Sequence, residues 1–140
     1  MALAIKISLL FSGLFLLNGM LTGIWKYAKM MSSDAHQAPV YVDIAHRTSF
    51  FYSFAALVIA RLIEFSPFSE FWQVIIVAAP LLYFVLTVVG YMKEGFLNRT
   101  ENLFAARNFI TTWFMYGLIT AEIGGLSLIL YGFIATQFFR

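Results

Sequence analysis

Four apolar runs, at 3–27, 41–65, 71–92 and 109–138, take up nearly the whole chain and leave little beyond the connections between them. Each is longer than the roughly 20 residues that a helix rising about 1.5 Å per residue needs to cross about 30 Å of hydrocarbon. In lipid every backbone amide must be satisfied within its own segment, so runs of this length predict helices. The expected fold is therefore all-α: a polytopic membrane protein built as a four-helix antiparallel transmembrane bundle, with residues 1–140 as a single domain. Composition supports lipid as the solvent, because 61% of the 140 residues are hydrophobic and only 11% are charged. A soluble domain of this size has too much surface for its volume to hide that many apolar side chains. The first run follows Lys6 in the manner of a secretory leader. It lacks a small-x-small cleavage site and continues to Tyr27, so it reads as a retained span.

The connections carry the turn signals. Between the second and third runs stands only "SPFSE", where Pro67 closes one helix and Ser69 is placed to cap the next, giving a tight hairpin. Lys26, Lys29 and Arg47 surround the first connection and Lys93, Arg99 and Arg107 the third, whereas Lys6, Arg61 and Arg140 belong to the opposite side. That bias puts both longer loops and the start of the second helix on the cytoplasmic face of a bacterial inner membrane. The nine Lys and Arg, against seven Asp and Glu, are scattered rather than clustered. No nucleic-acid partner is expected from such a distribution. The absence of cysteine removes disulfides, thiol nucleophiles and thiolate ligation of haem or iron–sulfur clusters.

Polar residues at membrane depth must face inward and find partners. In the first run Asn18, Thr22 and Trp25 recur at helical spacing, with Gly19 and Gly23 as a close-packing pair; Asn18 reads as an interhelical bond or as a pocket wall. Glu122, midway along the fourth run, calls for a partner such as Asn18 or Arg61, or for a polar cavity. Arg61 and Glu64, three apart, form a local ion pair. Tyr91, near the end of the third run, anchors at the interface or turns its hydroxyl into the bundle.

His46 stands about one and a half turns into the second run, with Ser49, Phe50 and Ser53 on the same side. Such an imidazole can be an edge hydrogen-bonder, a proton shuttle, a metal ligand or an axial haem ligand. A zinc or copper site needs more ligands than His46 and the distant His36 supply. Haem asks only for one strong proximal ligand and an apolar slot.

The order of features resembles the styrene oxide isomerases, small bacterial membrane proteins of four transmembrane helices. The matching pieces are "AH" at Ala45 and His46 after a long first connection, a short turn after the second helix, "GYMKEGFLNRTENLFAARN" with its "NR" at Asn98 and Arg99, and a glycine-rich last helix ending "GFIATQFFR". The resemblance implies a homotrimer with b-type haem at the subunit interfaces, the iron held by His46 with Phe50 and Ser49 beside it. It implies an isomerase in which ferric iron, as Lewis acid, opens a small lipophilic aryl epoxide to an aldehyde, with Tyr52, Tyr91 and Asn18 as the residues that orient or proton-balance the oxygen. The chain departs from the family at Tyr52, where the family has an asparagine six residues beyond its ligand histidine. Two other readings stand beside this one: a haem-bearing membrane subunit for electron transfer or gas sensing, and a cofactor-free scaffold or transport subunit organised around Glu122.

Overall fold

A computed structural model describes residues 1–139; Arg140, counted above among the charges of one membrane face, lies outside them. The described chain consists of four long helices, α1 (Leu3–Met31), α2 (Val40–Ile63), α3 (Glu70–Leu97) and α4 (Met115–Gln137), with a π-helical turn (Ile110–Phe114) leading into the last. Three segments, Leu3–Met31, Glu70–Leu97 and Ile110–Gln137, are long and apolar enough to cross a membrane. The second helix, expected as a fourth span, does not reach that apolarity. It carries Asp43, His46, Arg47, Thr48 and Ser49 in its first half and Ser53 just beyond. Asp43, His46, Ser49 and Ser53 bond with α1, and the helix packs most extensively against α1, less against α3 and least against α4, burying nine residues.

Local chemistry sets the helix ends. Pro39 stands at the N-cap of α2, where its missing amide costs nothing. α3 runs a turn and a half past the expected apolar limit at Met92, through Lys93 and Glu94, because charges mark a membrane edge without breaking a helix. What stops it is Asn98, in the left-handed region at φ 47°, whose amide bonds the Glu94 carbonyl at 2.8 Å. Arg99 then reaches back to the Glu94 carboxylate at 2.7 Å, so the "NR" pair closes the helix. Ser69 does occupy the N-cap of α3, but the expected side-chain cap is not made. Glu70 instead accepts the Leu3 amide at 3.1 Å, tying the starts of α1 and α3 together. Before α4, Asn108 Oδ1 accepts from the Thr111 amide at 3.0 Å and Thr111 Oγ1 from the Asn108 amide at 2.9 Å, a reciprocal cap that fixes where the π turn begins.

The core lies between α1, α2 and α3, with α4 reaching it through Ile129; Phe15, Ile63, Val77, Leu81 and Phe84 fill it. Pro80 sits inside α3 and is accommodated because Gly125 of α4 faces it: a Cβ there would lie 3.1 Å from the proline Cδ. Ser12 and Ser53 exchange bonds between α1 and α2, each hydroxyl donating to the other's carbonyl at 2.9 Å. Around this core the outer surface is apolar: Leu10 is 61% exposed, Phe51 73% and Phe54 63%. An exterior this greasy over whole helices matches lipid rather than water.

Candidate functional site

The α1–α2 edge holds His46. Its Nδ1–H donates to the carbonyl of Gly19 at 2.8 Å, across from one helix to the other. In a neutral ring that bond selects the Nδ1–H tautomer and leaves the Nε2 lone pair for a ligand. The close-packing glycines of α1 turn out to serve this ring and its neighbour. A Cβ on Gly23 would lie 2.9 Å from His46 Cε1, and one on Gly19 3.0 Å from the Phe50 ring. Phe50 meets the imidazole edge-on, with centroids 5.1 Å apart. Just above, Asp43 pairs with Lys26 and with Arg47, each at 2.6 Å, and joins the same two helices. His46 thus offers one ring nitrogen, held by α1, that could serve as a single-point ligand. Among the described residues no three His, Cys, Asp or Glu side chains gather as a metal site, and His36 stands exposed in the α1–α2 loop.

Ser49 and Asn18 lie behind that edge rather than on it. Ser49 is fully buried; its hydroxyl donates to Ala45 O at 2.7 Å and accepts from Asn18 Nδ2 at 2.9 Å. Asn18 also lies 3.7 Å from Met92 Sδ, so it joins α1, α2 and α3, the interhelical role its position suggested. The Ser49 hydroxyl and the Asn18 amide nitrogen are thus both engaged within the protein.

Tyr52 and Tyr91 belong to a different place. Six residues beyond His46 on a helix turns the side chain by about 120°, and Tyr52 points between α3 and α4. Its ring stacks on Phe84 at 3.9 Å and meets Phe15 edge-on at 5.9 Å. Its hydroxyl approaches Glu122 Oε1 at 3.4 Å. Glu122 is therefore partnered by Tyr52, not by Asn18 or Arg61 as expected; Arg61 pairs with Glu64 as its spacing indicated. Tyr91 stacks on Tyr41 at 5.8 Å, and the Tyr41 hydroxyl accepts from the Leu103 amide at 2.6 Å, docking the α3–α4 loop.

Tyr52 and Tyr91 both line a partly open cavity of about 360 Å³ bordered by α3, the α3–α4 loop, the π turn and the start of α4. Its walls are mainly apolar, from Leu86, Ile110, Phe114 and Leu118, with Lys93 and Glu94 towards the loop. The volume is that of a small-molecule site. Neither His46, Phe50 nor Asn18 reaches it. Two more of its lining residues, Thr87 and Gly90, stand with Tyr91 in the third apolar run. Thr87 is only 8% exposed, and its buried hydroxyl pairs with that of Tyr52. Gly90 has nothing within 4 Å of the place a Cβ would take.

The fold and these two regions define an all-helical protein whose long apolar helices are compatible with an integral membrane location. Compared with known protein families, curated proteins and solved structures, the chain gives no match.

Proposed function

We propose that the chain is a haem b protein of the bacterial inner membrane that isomerises a small lipophilic aryl epoxide to an aldehyde. The observation that carries this reading is the bond from His46 Nδ1–H to Gly19 O, because it presents Nε2 as a free ligand at a place where Gly23 leaves room for nothing but the ring. All four helices would cross the bilayer as an antiparallel bundle. The Leu3 to Glu70 bond, and that from the Thr136 hydroxyl to Phe65 O at 2.7 Å, support this by pairing helix ends of matching direction.

Ferric haem on His46 would supply a Lewis acid for the epoxide oxygen. The chain's own residues do the rest. The apolar cavity wall takes the aryl group and excludes water, which would divert ring opening to a diol. Isomerisation breaks one C–O bond, moves hydride to the adjacent carbon and forms C=O, so no external oxidant, reductant or proton is consumed. Tyr52 and Tyr91 line that cavity, and in this reading their hydroxyls would hold the oxygen, Tyr52 by exchanging its bond to Glu122. Asn18, spent on Ser49 and Met92, keeps α2 in position rather than touching substrate. Since His46 and the tyrosine cavity occupy different sides of one chain, the reading requires a homo-oligomer in which a second copy completes the site; trimer is the number implied by the family resemblance.

A visible spectrum of the detergent-purified protein tests this. A Soret band that disappears in His46→Ala is the expected result; a colourless protein after expression with ample haem overturns it. One observation favours a second reading. Tyr52, standing where the family has asparagine, is stacked on Phe84 and directed to Glu122. A haem subunit for electron transfer or gas sensing would need no free group there, and would keep its function when reduced, whereas the isomerase depends on ferric iron.

A further inference from the structure

Glu122 has no task of its own in the isomerase reading, yet it stands near the middle of the Ile110–Gln137 segment, which holds no other Asp, Glu, Lys or Arg. A carboxylate at membrane depth is expensive unless a cation or a polar cavity meets it. Among the described residues Glu122 enters no ion pair. The titratable groups that face it are two phenols: Tyr52 from α2, whose hydroxyl approaches Oε1 at 3.4 Å, and Tyr91 from α3. The π turn has none, and α1 does not touch α4. Glutamine would match the neutral acid in size and offer hydrogen bonds as well. What glutamate has beyond glutamine is a proton it can give up.

A second feature leads to the same place. Thr87, Tyr91 and Glu94, spaced four and three apart, lie on one face of α3, and all three line the cavity. Glu94 stands at the loop end of this polar stripe, paired with the exposed Arg99. Tyr52 lies at its inner end, beside Thr87, with its hydroxyl towards Glu122. The cavity is partly open, and its 360 Å³ leaves room for water between these groups. Further along α3 and α4 the groove lined by Phe68, Trp72, Ile75 and Leu128 offers no ionisable group.

We propose that Glu122 is a proton-binding site at mid-membrane, loaded through the cavity and the Tyr52 hydroxyl from the membrane face of the α3–α4 loop, a proton half-channel closed towards the other face. In loading, a hydronium ion in the cavity gives a proton to the Tyr52 oxygen while the Tyr52 O–H proton passes to the Glu122 carboxylate. The phenol is unchanged, water is left, and the carboxyl becomes neutral; unloading is the reverse. Isomerisation consumes no proton, so this function goes beyond that reading and stands on Glu122 and Tyr52, not on His46.

Infrared spectroscopy of the full chain tests it, in nanodiscs of ether-linked lipid, which has no carbonyl of its own. The carbonyl stretch of a protonated carboxyl stands clear of the amide bands and moves when deuterium replaces its proton. At neutral pH the parent should show one such band that Glu122→Gln lacks. After a switch to D₂O the band should move well ahead of amide exchange in the membrane helices. Tyr52→Phe, which keeps the stack on Phe84, should retain the band but slow its movement about 100-fold, the lower end of what a positioned proton-transfer group contributes. No band lost in Glu122→Gln overturns the proposal, since the group is then ionised. Movement no faster than the amides overturns it too, because the carboxyl is then sealed, and so does movement unslowed in Tyr52→Phe. The measurement uses neither colour nor turnover, so a missing Soret band leaves this inference standing, and its failure leaves the haem reading standing.

Discussion

The two sides of α2 are built on opposite plans. Towards α1 the packing is tight: glycines at 19 and 23 let Phe50 and His46 press against the neighbouring backbone, and His46 Nδ1, Asn18 Nδ2 and the Ser49 hydroxyl each have a partner. Towards α3 and α4 the packing is loose, with a cavity and a glycine facing empty space. A single-point ligand needs its ring held at a fixed angle, which close contact provides. A site that must admit a molecule from the bilayer needs room, which the loose side keeps. The contrast locates rigidity and space in different pairs of helices of the same small protein.

The comparison breaks most readily at Tyr52, which supports the loose side from α2. Replacing it by asparagine, the family's residue at this place, removes the stack on Phe84 and should lower stability by about 3 kcal/mol, the scale of truncating a buried aromatic. Denaturation in detergent measures the loss, and haem content per chain should hardly change. Gly23→Ala strikes the tight side. A methyl 2.9 Å from His46 Cε1 forces the ring to shift, at a cost of about 1–3 kcal/mol, and haem content by the pyridine haemochrome assay should fall several-fold. Retained haem in that variant would mean the imidazole angle is not set by α1. Ser12→Ala removes one of the two bonds between Ser12 and Ser53 and should cost about 0.6 kcal/mol by the same denaturation. Smallest of all, Arg61→Ala removes an exposed ion pair with Glu64 and should stay within about 0.5 kcal/mol of the parent.

What the sequence disclosed follows from which signals are local. The helices were legible because apolar runs of this length have few alternatives in lipid, and the turn at Pro67 because proline restricts its neighbours. The Arg61–Glu64 pair was legible because a spacing of three determines proximity on one helix. His46 could be singled out as a lone imidazole in a span, but its bond to Gly19 O depends on how α1 and α2 rotate against each other. The partner of Glu122 was misjudged for the same reason: Tyr52, Asn18 and Arg61 are equally available until the faces of α2 and α4 are set. Asn98 as the stop of α3 was readable in principle, since asparagine tolerates the left-handed region, but Lys93 and Glu94 gave a louder and misleading boundary. Thr87 and Gly90 stand out in the third run as a hydroxyl and a glycine, but their place in the wall of a cavity depends on how α3 and α4 meet.

The mutual bonds of Ser12 and Ser53 act on more than stability. Two donors and two acceptors crossing at one level work like a clasp with two hooks: a slip of one residue along the axis, or a turn of one residue about it, unfastens both. Fastened, they dictate which residues meet further along the two helices, bringing Asn18 to Ser49, Gly19 to His46 and Lys26 to Asp43. The angle of the imidazole is thus inherited from a pair of serines about two turns along the helices, and under the haem ligation proposed for His46 a change at either serine would alter the spectrum before it was seen as a loss of fold.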